Sequence, residues 1–449
     1  MMRHTLTAVL ATMLFSFTAQ AGPRIDLENL PHREGVLDRR PVTTVARWEP
    51  DAFLESIVIR TSGDMLITEA VEHPIYHSTV DGDVLVWHQS AIKPMGLAID
   101  LDDTVVATGR DADDAWHIFV FAHDGALERA ISVPEAHALN GATFLRPGVV
   151  LANDAAAGRI YRIDLDSGTV STWLDDELLR PDPARSQLIP GANGIKIWRG
   201  AAYVSNTSQM SVLRIPLDGD DFAAGTPKVV HEGLIIDDFA FAEDGTIYAT
   251  THIFDTVIRI EPDGSLARIA TAQDGVAGST ALAFGRLTDD ETAIYVVADG
   301  GYYLDPEANV PAFLTRIEIG EAGLSISSSF AHEPYPGETP VERAAFVSCS
   351  TAPGSDTIRT DAAGRYTRFL ELNFERILMG GQIPGETADS APRMRHYVVS
   401  GSTDSALSLM QRSPYALEGV YGRCTAVPFD IMLGRWLGGV AWPNSVSTD

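Results

Sequence analysis

The stretch from residue 234 to residue 264 reads LIIDDFAFAEDGTIYATTHIFDTVIRIEPDG and decides the fold. Apolar and polar residues alternate along FAFAED, TIYAT and TVIRI, which is typical of half-buried β-strands. An Asp-Gly pair ends two of these runs, and glycine supplies the positive φ that a tight hairpin turn requires. The stretch therefore predicts consecutive antiparallel strands. It also places two adjacent aspartates, Asp237 and Asp238, where a buried apolar strand should begin.

The same pattern recurs six times along the chain. The alternating runs begin near residues 58, 98, 144, 195, 240 and 283, and each is followed by an outer hairpin such as RIYRIDLDSGTVSTWL. A spacing of about 40 to 50 residues is the period of a four-stranded propeller blade. The repeats predict an all-β six-bladed β-propeller over residues 43–328, with the early strand TTVARW closing the ring against the last blade. Such a ring leaves a central channel.

The composition and the first residues of the chain indicate its compartment and argue against two classes of partner. The 449 residues carry a formal net charge of -28, which argues against nucleic acid and anionic membranes as partners, because both would repel the chain. Residues 1–21 are typical of a secretory signal peptide, and no later run reaches the roughly 18 apolar residues of a membrane span. We therefore expect a secreted chain that begins with an arm over residues 22–42. The sequon at Asn206 predicts a glycan there.

Oxygen-bearing side chains stand at equivalent positions in four of the six repeats. The position lies seven or eight residues before the turn glycine and is occupied by Glu55, Asn140, Asn193 and Asp237. The second repeat offers Met95 there, and the sixth offers Ser279 or Thr280. Inner strands converge on the propeller axis, and two carboxylates with two carboxamides suit a hard cation such as Ca²⁺. Any one of these residues alone is more often a cap or turn residue than a ligand. The prediction therefore depends on their shared position in four repeats.

Other side chains near the axis are weaker candidates. His252 follows an inner strand and His137 precedes Asn140 by three residues, so either could act as a base near neutral pH, although such histidines are more often structural. Asp238 and Tyr302 are expected beside the substrate pocket. The chain has no nucleophile elbow, His-Glu-x-x-His, Cys-x-x-Cys or phosphate loop, which argues against serine-triad, zinc-protease, nucleotide and flavin chemistry.

The motifs GANGIKI and IDDFAFAEDGTIYAT resemble those of the gluconolactonase and regucalcin family. The resemblance implies a six-bladed propeller with one axial divalent metal, held by the residues that match the family's Glu, two Asn and Asp: Glu55, Asn140, Asn193 and Asp237. It also implies that the metal polarises a lactone carbonyl and that Asp237 is the general base. Ala138 stands where sugar-acid lactonases carry an arginine. The chain looks closer to a secreted fungal-type subgroup, to which hetero-Diels-Alderases are similar.

After a linker over residues 329–342 the pattern changes. Residues 343–436 show the order β-α-β-β-α-β, with an amphipathic helix from Tyr366 to Leu378 and a short second strand at GGQIP, before a tail over residues 437–449. This order predicts a small α+β ferredoxin-like domain. In that topology the first and last strands are neighbours, which brings Cys349 and Cys424 together as a candidate disulfide.

The segments Pro414-Tyr415, Gly419-Val420-Tyr421 and Pro428-Phe429 resemble motifs of the YCII-related family. That family's catalytic histidine and aspartate have no counterparts here, because the helix reads RYTRF and position 413 is Ser. The resemblance therefore implies a lid, a dimerisation unit or a degenerate substrate-binding module rather than an independent enzyme.

Three functions follow for the axial pocket and a small-molecule substrate. The favoured hypothesis is a non-redox enzyme of secondary metabolism that performs dehydration, ring closure or cycloaddition on a polyketide- or terpenoid-like molecule, with Asp237 and His252 as catalytic residues. The second is a metal-dependent lactonase or esterase that uses Asp237 and the ion to activate water. The third is a non-catalytic binding propeller, because a fold alone does not determine function.

Overall fold

The computed structural model describes residues 30–324, apart from residues 34, 101–102, 186–188, 220, 306 and 308. It also describes four strands nearer the C-terminus. The chain divides after residue 330 into two compact units. Among the described residues, we find no helix with the length and hydropathy that a membrane span requires.

The first unit begins with an arm and continues with six four-stranded blades. The arm contributes β1 (Val36–Leu37) and β2 (Val42–Arg47). Blade 1 contains β3 (Leu54–Ile59), β4 (Met65–Glu69), β5 (Ile75–Ser78) and β6 (Val84–His88). Blade 2 contains β7 (Lys93–Ile99), β8 (Val105–Arg110), β9 (Trp116–Phe121) and β10 (Leu127–Ser132). Blade 3 contains β11 (Leu139–Arg146), β12 (Val149–Asp154), β13 (Arg159–Asp164) and β14 (Val170–Asp175).

The other three blades depart slightly from this regular pattern. Blade 4 contains β15 (Ala192–Trp198), β16 (Ala201–Asn206), β17 (Ser211–Asp218) and β19 (Lys228–Glu232), while β18 (Ala223–Ala224) pairs with one end of β17. Blade 5 contains β20 (Phe239–Phe241), β21 (Ile247–Thr250), β22 (Thr256–Ile260) and β23 (Leu266–Thr271). Blade 6 contains β24 (Ser279–Phe284), β25 (Ala293–Ala298) and β26 (Phe313–Glu318). Short 3₁₀ helices span Glu177–Leu179, His252–Phe254 and Ala272–Asp274.

The arm supplies the strand that closes the ring. β2 pairs antiparallel with β26 and becomes the outermost strand of blade 6, as the sequence pattern predicts. β1 adds in parallel to β23 at the outer edge of blade 5. Pairing the start of the chain with its last blade satisfies backbone groups that an open ring would leave exposed.

Apolar side chains fill the spaces between adjacent blades. The cluster between blades 1 and 2, for example, includes Leu66, Ile99 and Phe119, and five similar clusters occupy the other interfaces. Strands in the middle of the blades are buried along their whole length, as in β8 and β16. Because the hydrophobic contacts lie between blades, the ring holds its inner strands at fixed positions around the axis.

A ring of hydrogen bonds joins the blades close to the axis. In five blades, a polar side chain of the second strand donates to the backbone carbonyl at the axis position of the next blade. The pairs are Thr68 to Met95 (2.6 Å), Thr108 to Asn140 (2.6 Å), Asn153 to Asn193 (2.8 Å), Ser205 to Asp237 (2.8 Å) and Thr250 to Thr280 (2.8 Å). The Thr280 hydroxyl completes the ring by donating to the Leu54 carbonyl at 2.8 Å. These bonds set the predicted ligand positions at equivalent heights.

Glycines follow three of the axis positions because the inner strands approach closely. A Cβ on Gly96 would lie 2.4 Å from the carbonyl oxygen of Asn140, and one on Gly141 would lie 2.3 Å from that of Asn193. Contacts of a Cβ atom shorter than 3.0 Å are essentially never seen in proteins. The small residue is therefore a requirement of blade-to-blade contact at the axis.

The second unit contains an antiparallel sheet of four strands. Its order is β28 (Phe369–Leu372), β29 (Arg393–Val399), β27 (Ala345–Thr351) and β30 (Cys424–Pro428). β28 lies where the sequence predicted a helix, so that prediction is wrong. The run FLEL is apolar at alternate positions as well as at helical spacing, and periodicity alone does not separate the two in so short a run.

The register of the second unit places Cys349 of β27 directly opposite Cys424 of β30. Opposite residues in antiparallel strands have Cα atoms about 4.5 to 5.5 Å apart, which lies within the range that a disulfide spans. The disulfide stays a prediction, as do the ferredoxin-like fold and the YCII resemblance. The signal peptide, the linker, the second predicted helix, the GGQIP strand and the tail lie outside the described residues.

Replacing Thr108 by Val tests the hydrogen-bonded ring. Its buried hydroxyl accepts from the Gly96 N–H at 3.0 Å and donates to the Asn140 carbonyl, so the valine variant leaves two buried backbone groups unpaired. We expect the free energy of unfolding to fall by about 1–3 kcal/mol, measured by denaturant titration. The Thr108→Ser variant, which keeps the hydroxyl, should lose much less. Equal losses in both variants would contradict a role for the ring.

Candidate functional site

The four predicted ligand residues line one cavity at the propeller axis. Glu55 lies in β3, Asn140 in β11 and Asn193 in β15, while Asp237 lies two residues before β20. The space open to the centres of water-sized molecules is about 20 Å³, which is room for about one water molecule or ion at the axis. Thr280 of blade 6 also lines it, as its register suggested. Side chains that are far apart in the chain therefore meet because the inner strands of the blades converge.

Two of these side chains present free oxygen atoms to the cavity. Within the described residues, the Glu55 carboxylate and the Asn140 carboxamide make no side-chain hydrogen bond. Burial and, second to it, the nearby Asp237 carboxylate raise the pKa of Glu55 to about 8. A half-buried carboxylate without a hydrogen-bond donor is costly in its charged form, and a bound cation would offset that cost.

The other two ligand candidates contact each other. The Asn193 amide donates to Asp237 Oδ1 at 2.5 Å and to Thr207 Oγ1 at 3.1 Å. Both Asn193 and Asp237 are buried. The amide thereby holds the Asp237 carboxylate in one orientation beside the cavity.

His252 connects Asp237 to a second carboxylate. Its Nδ1 lies 3.0 Å from Asp237 Oδ2, and its Nε2 lies 3.1 Å from Asp299 Oδ2. Burial alone would lower the pKa of His252, but Asp299 and Asp237 together raise it well above its ordinary value. The imidazole is therefore held as a cation between two carboxylates, and Asp237 is linked through it to Asp299.

Asp299 is a functional candidate that sequence reasoning missed. It follows β25, is fully buried, and accepts hydrogen bonds from the backbone N–H groups of Gly301 (2.7 Å) and Tyr303 (3.0 Å). A signal for it exists in the repeat, because acidic residues also end the second strands of blades 1 and 3, at Glu69 and Asp154.

Those two equivalent carboxylates hold the segments that lead into ligand strands. Glu69 accepts from the Phe53 N–H at 2.9 Å, two residues before Glu55. Asp154 accepts from the Ala138 N–H at 3.0 Å, two residues before Asn140. The acidic residue at the end of the second strand thus holds the backbone in blades 1 and 3. In blade 6 the corresponding residue, Asp299, also contacts His252.

Two aromatic rings pack against the imidazole of His252. Phe53 meets the imidazole edge-on, with ring centroids 5.7 Å apart, and Tyr303 lies 5.1 Å from it. Burial and the carboxylates of Asp237, Glu55 and Asp299 raise the pKa of Tyr303, so its hydroxyl stays neutral. Tyr303, the neighbour of the predicted Tyr302, is the tyrosine that contacts His252, and the role of Tyr302 in the pocket wall stays a prediction.

Asp238 lines the same cavity but has a different partner from Asp237. The Lys196 ammonium group lies 2.6 Å from Asp238 Oδ1. Burial raises the pKa of Asp238, and Lys196 opposes that rise. The two adjacent aspartates before β20 therefore have separate partners. Asp237 contacts His252 and Asn193, and Asp238 pairs with Lys196. A lysine inside the buried alternating run GIKIW was the available signal for this partner.

Two further predictions are contradicted by the structure. The side chain of His137 is exposed and does not line the cavity; only its backbone N–H has a notable role, donating to Asp154 Oδ2 at 2.8 Å. Asn206 is 0% exposed, and its amide donates to the carbonyls of Leu178 and Arg180. This burial contradicts glycosylation at Asn206, because a glycan needs an accessible amide nitrogen.

The donor set is the main evidence on metal binding. Within the described ranges, no group of three or more His, Cys, Asp and Glu side chains is placed to hold a metal ion. The axial set instead combines two carboxylates with two carboxamides, and oxygen ligands of this kind suit Ca²⁺. The unpartnered oxygens of Glu55 and Asn140 fit such an ion.

Comparisons with known proteins were made by family, by sequence and by structure. No protein-family model matches the chain, and no curated protein matches it either. Solved structures similar to it include a luciferin-regenerating enzyme (15% identity, 64% of this chain and 97% of that one, TM-score 0.49) and a putative gluconolactonase (15%, 68% and 98%, TM-score 0.49). A calcium-binding regucalcin from Agrobacterium tumefaciens is also similar (16%, 65% and 98%, TM-score 0.46). At these values the similarity concerns the fold only.

Replacing Glu55 by Gln tests the metal site. The change removes a charged ligand but keeps the shape of the side chain. Loss of a residue that only supports a ligand lowers metal affinity about 10–100-fold, so we expect the loss of the ligand itself to lower calcium affinity by more than that. Isothermal titration calorimetry measures both the affinity and the number of ions bound per chain. The Glu135→Gln variant, altered at an exposed carboxylate, is the matched control. Unchanged calcium binding by the Glu55→Gln variant would contradict the assignment.

Proposed function

We propose that the chain is a metal-dependent hydrolase that opens a small, polar cyclic ester in the axial cavity. One observation carries the proposal: four oxygen-bearing side chains line the same cavity, and one of them, Asp237, is linked through His252 to the buried Asp299. Carboxylates and imidazoles whose pKa values are shifted in this way are concentrated at catalytic sites. A propeller that only bound a partner through its loops would have no evident need for them.

Glu55, Asn140, Asn193 and Asp237 would hold the divalent cation. A bound Ca²⁺ would polarise the ester carbonyl and stabilise the negative charge that develops on its oxygen. Nucleotide and flavin chemistry have no support in the sequence motifs.

The protein's own residues handle the proton. Asp237 is placed to accept a proton from the attacking water, because its carboxylate lines the cavity and is fixed by Asn193. His252 stabilises the Asp237 carboxylate through Nδ1, while Asp299 fixes the imidazole through Nε2. Asp237, once protonated by the water, would return that proton to the leaving alkoxide. General acid–base catalysis of this type contributes about 10²–10⁴-fold to a rate.

The polarity of the cavity favours hydrolysis of a small ester over cyclisation of a terpenoid. Eight of its lining residues are polar: Glu55, Ser56, Asn140, Asn193, Lys196, Asp237, Asp238 and Thr280. Pockets for large apolar ligands are lined mainly by hydrophobic and aromatic side chains. This ranks the lactonase hypothesis above the secondary-metabolism hypothesis that the sequence favoured.

A lyase or cyclase of secondary metabolism is the second candidate. Phe53 and Tyr303 beside His252 favour it, because they place aromatic surface next to a group that can transfer protons. An elimination or ring closure would use His252 and its carboxylates for proton transfer and would use the ion for structure alone.

Replacing Asp237 by Asn separates the two candidates. For a hydrolase we expect turnover of small lactones in the presence of Ca²⁺ to fall by about 10²–10⁴-fold, because the proton acceptor is lost. A pH-stat assay over a panel of lactones of different ring size measures this rate. The Asp263→Asn variant, altered in the exposed turn of blade 5, is the matched control. Retained lactone turnover in the Asp237→Asn variant, or none in the unaltered protein, would contradict the proposal.

A further inference from the structure

The N-terminal arm contacts the chain segments that lead to Asp237 and His252. Residues 30–33 lie at the junction of blades 4 and 5, where the Arg33 N–H donates to the Gly233 carbonyl at 2.7 Å. From there the chain continues along the outer edge of the blade, through β1, to β2. The arm therefore has contacts beyond its role in closing the ring.

His32 contacts both segments that carry the proton-handling residues. Its ring stacks on Phe254, with centroids 4.2 Å apart and planes 14° apart. Its Nδ1 accepts a hydrogen bond from the Ile235 N–H at 3.1 Å. Phe254 ends the 3₁₀ turn that begins with His252, and Ile235 lies two residues before Asp237. One imidazole thus joins the His252 turn to the Asp237 segment.

Leu30 reinforces the same junction. It packs against a small cluster of buried side chains, Met210, Ile235 and Ile253, which Phe254 and Tyr303 also contact. Every residue of the 3₁₀ turn consequently has a defined contact. His252 bonds inward to Asp237 and Asp299, Ile253 enters the cluster, and Phe254 lies under His32.

We infer that His32 is a positioning residue, which fixes the separation of His252 and Asp237 through a ring stack on one segment and a hydrogen bond to the other. The inference rests on the proposed function only for its catalytic consequence. Short turns otherwise open easily, because few backbone hydrogen bonds hold them. A loosened turn would leave His252 misplaced relative to Asp237, and small misplacements of catalytic groups are costly.

Three substitutions of His32 separate its two contacts. His32→Phe keeps the ring and loses the acceptor, His32→Asn keeps an acceptor and loses the ring, and His32→Ala loses both. Backbone hydrogen exchange, resolved over residues 233–238 and 251–256, reports each segment separately. We expect His32→Phe to speed exchange mainly in the first segment, His32→Asn mainly in the second, and His32→Ala in both, by about tenfold.

The control is a Val36→Ala, Leu37→Ala double variant, which alters exposed residues of the same arm away from the site. It should leave exchange in both segments unchanged. Kinetics on the best lactone add a second readout, in which His32→Ala lowers kcat with little change in KM. Unchanged exchange over residues 251–256 in His32→Ala would overturn the inference. If the unaltered protein turns over no lactone, the proposed function fails, while the exchange data still decide the role of His32.

Discussion

The convergence of inner strands on one axis is the constraint on which the rest of this structure depends. Apolar contacts between neighbouring blades hold the ring, and hydrogen bonds from second strands to the carbonyls of the next blade fix its inner edge. The donors act on the backbone of the residues whose side chains face the cavity, as with Ser205 and Asp237. Stability of the fold and geometry of the site therefore share the same bonds.

Several acidic side chains lie close together near the propeller axis, and this raises the pKa values of some of them. Glu55, Asp237, Asp238 and Asp299 lie close together, and burial raises the pKa of Glu55 and Asp238. The protein's own cations compensate in pairs, His252 between Asp237 and Asp299 and Lys196 beside Asp238. Glu55 is left without a partner among the described residues, which is the position a bound cation would complete.

Much of the fold and part of the site were predictable from the sequence. The six-fold repeat and the turn glycines fixed the blades and their register, and that register placed Glu55, Asn140, Asn193 and Asp237 at equivalent heights. Asp299 and Lys196 were not identified, because each lies outside the ligand register and acquires its role only through a neighbouring blade. The adjacent Tyr302 and Tyr303 cannot be told apart by sequence, because it does not fix which way a loop side chain points. Asn206 matches a sequon and still lies inside the fold, because the motif does not report burial.

Diffraction from crystals soaked with a calcium-site ion that scatters anomalously, such as Mn²⁺ or Tb³⁺, tests the central claim most directly. We expect one anomalous peak inside the axial cavity, at about the 2.3–2.6 Å typical of Ca²⁺ from the oxygens of Glu55, Asn140, Asn193 and Asp237. Data showing ions bound only outside the cavity, with the four side chains around ordered water instead, would contradict it.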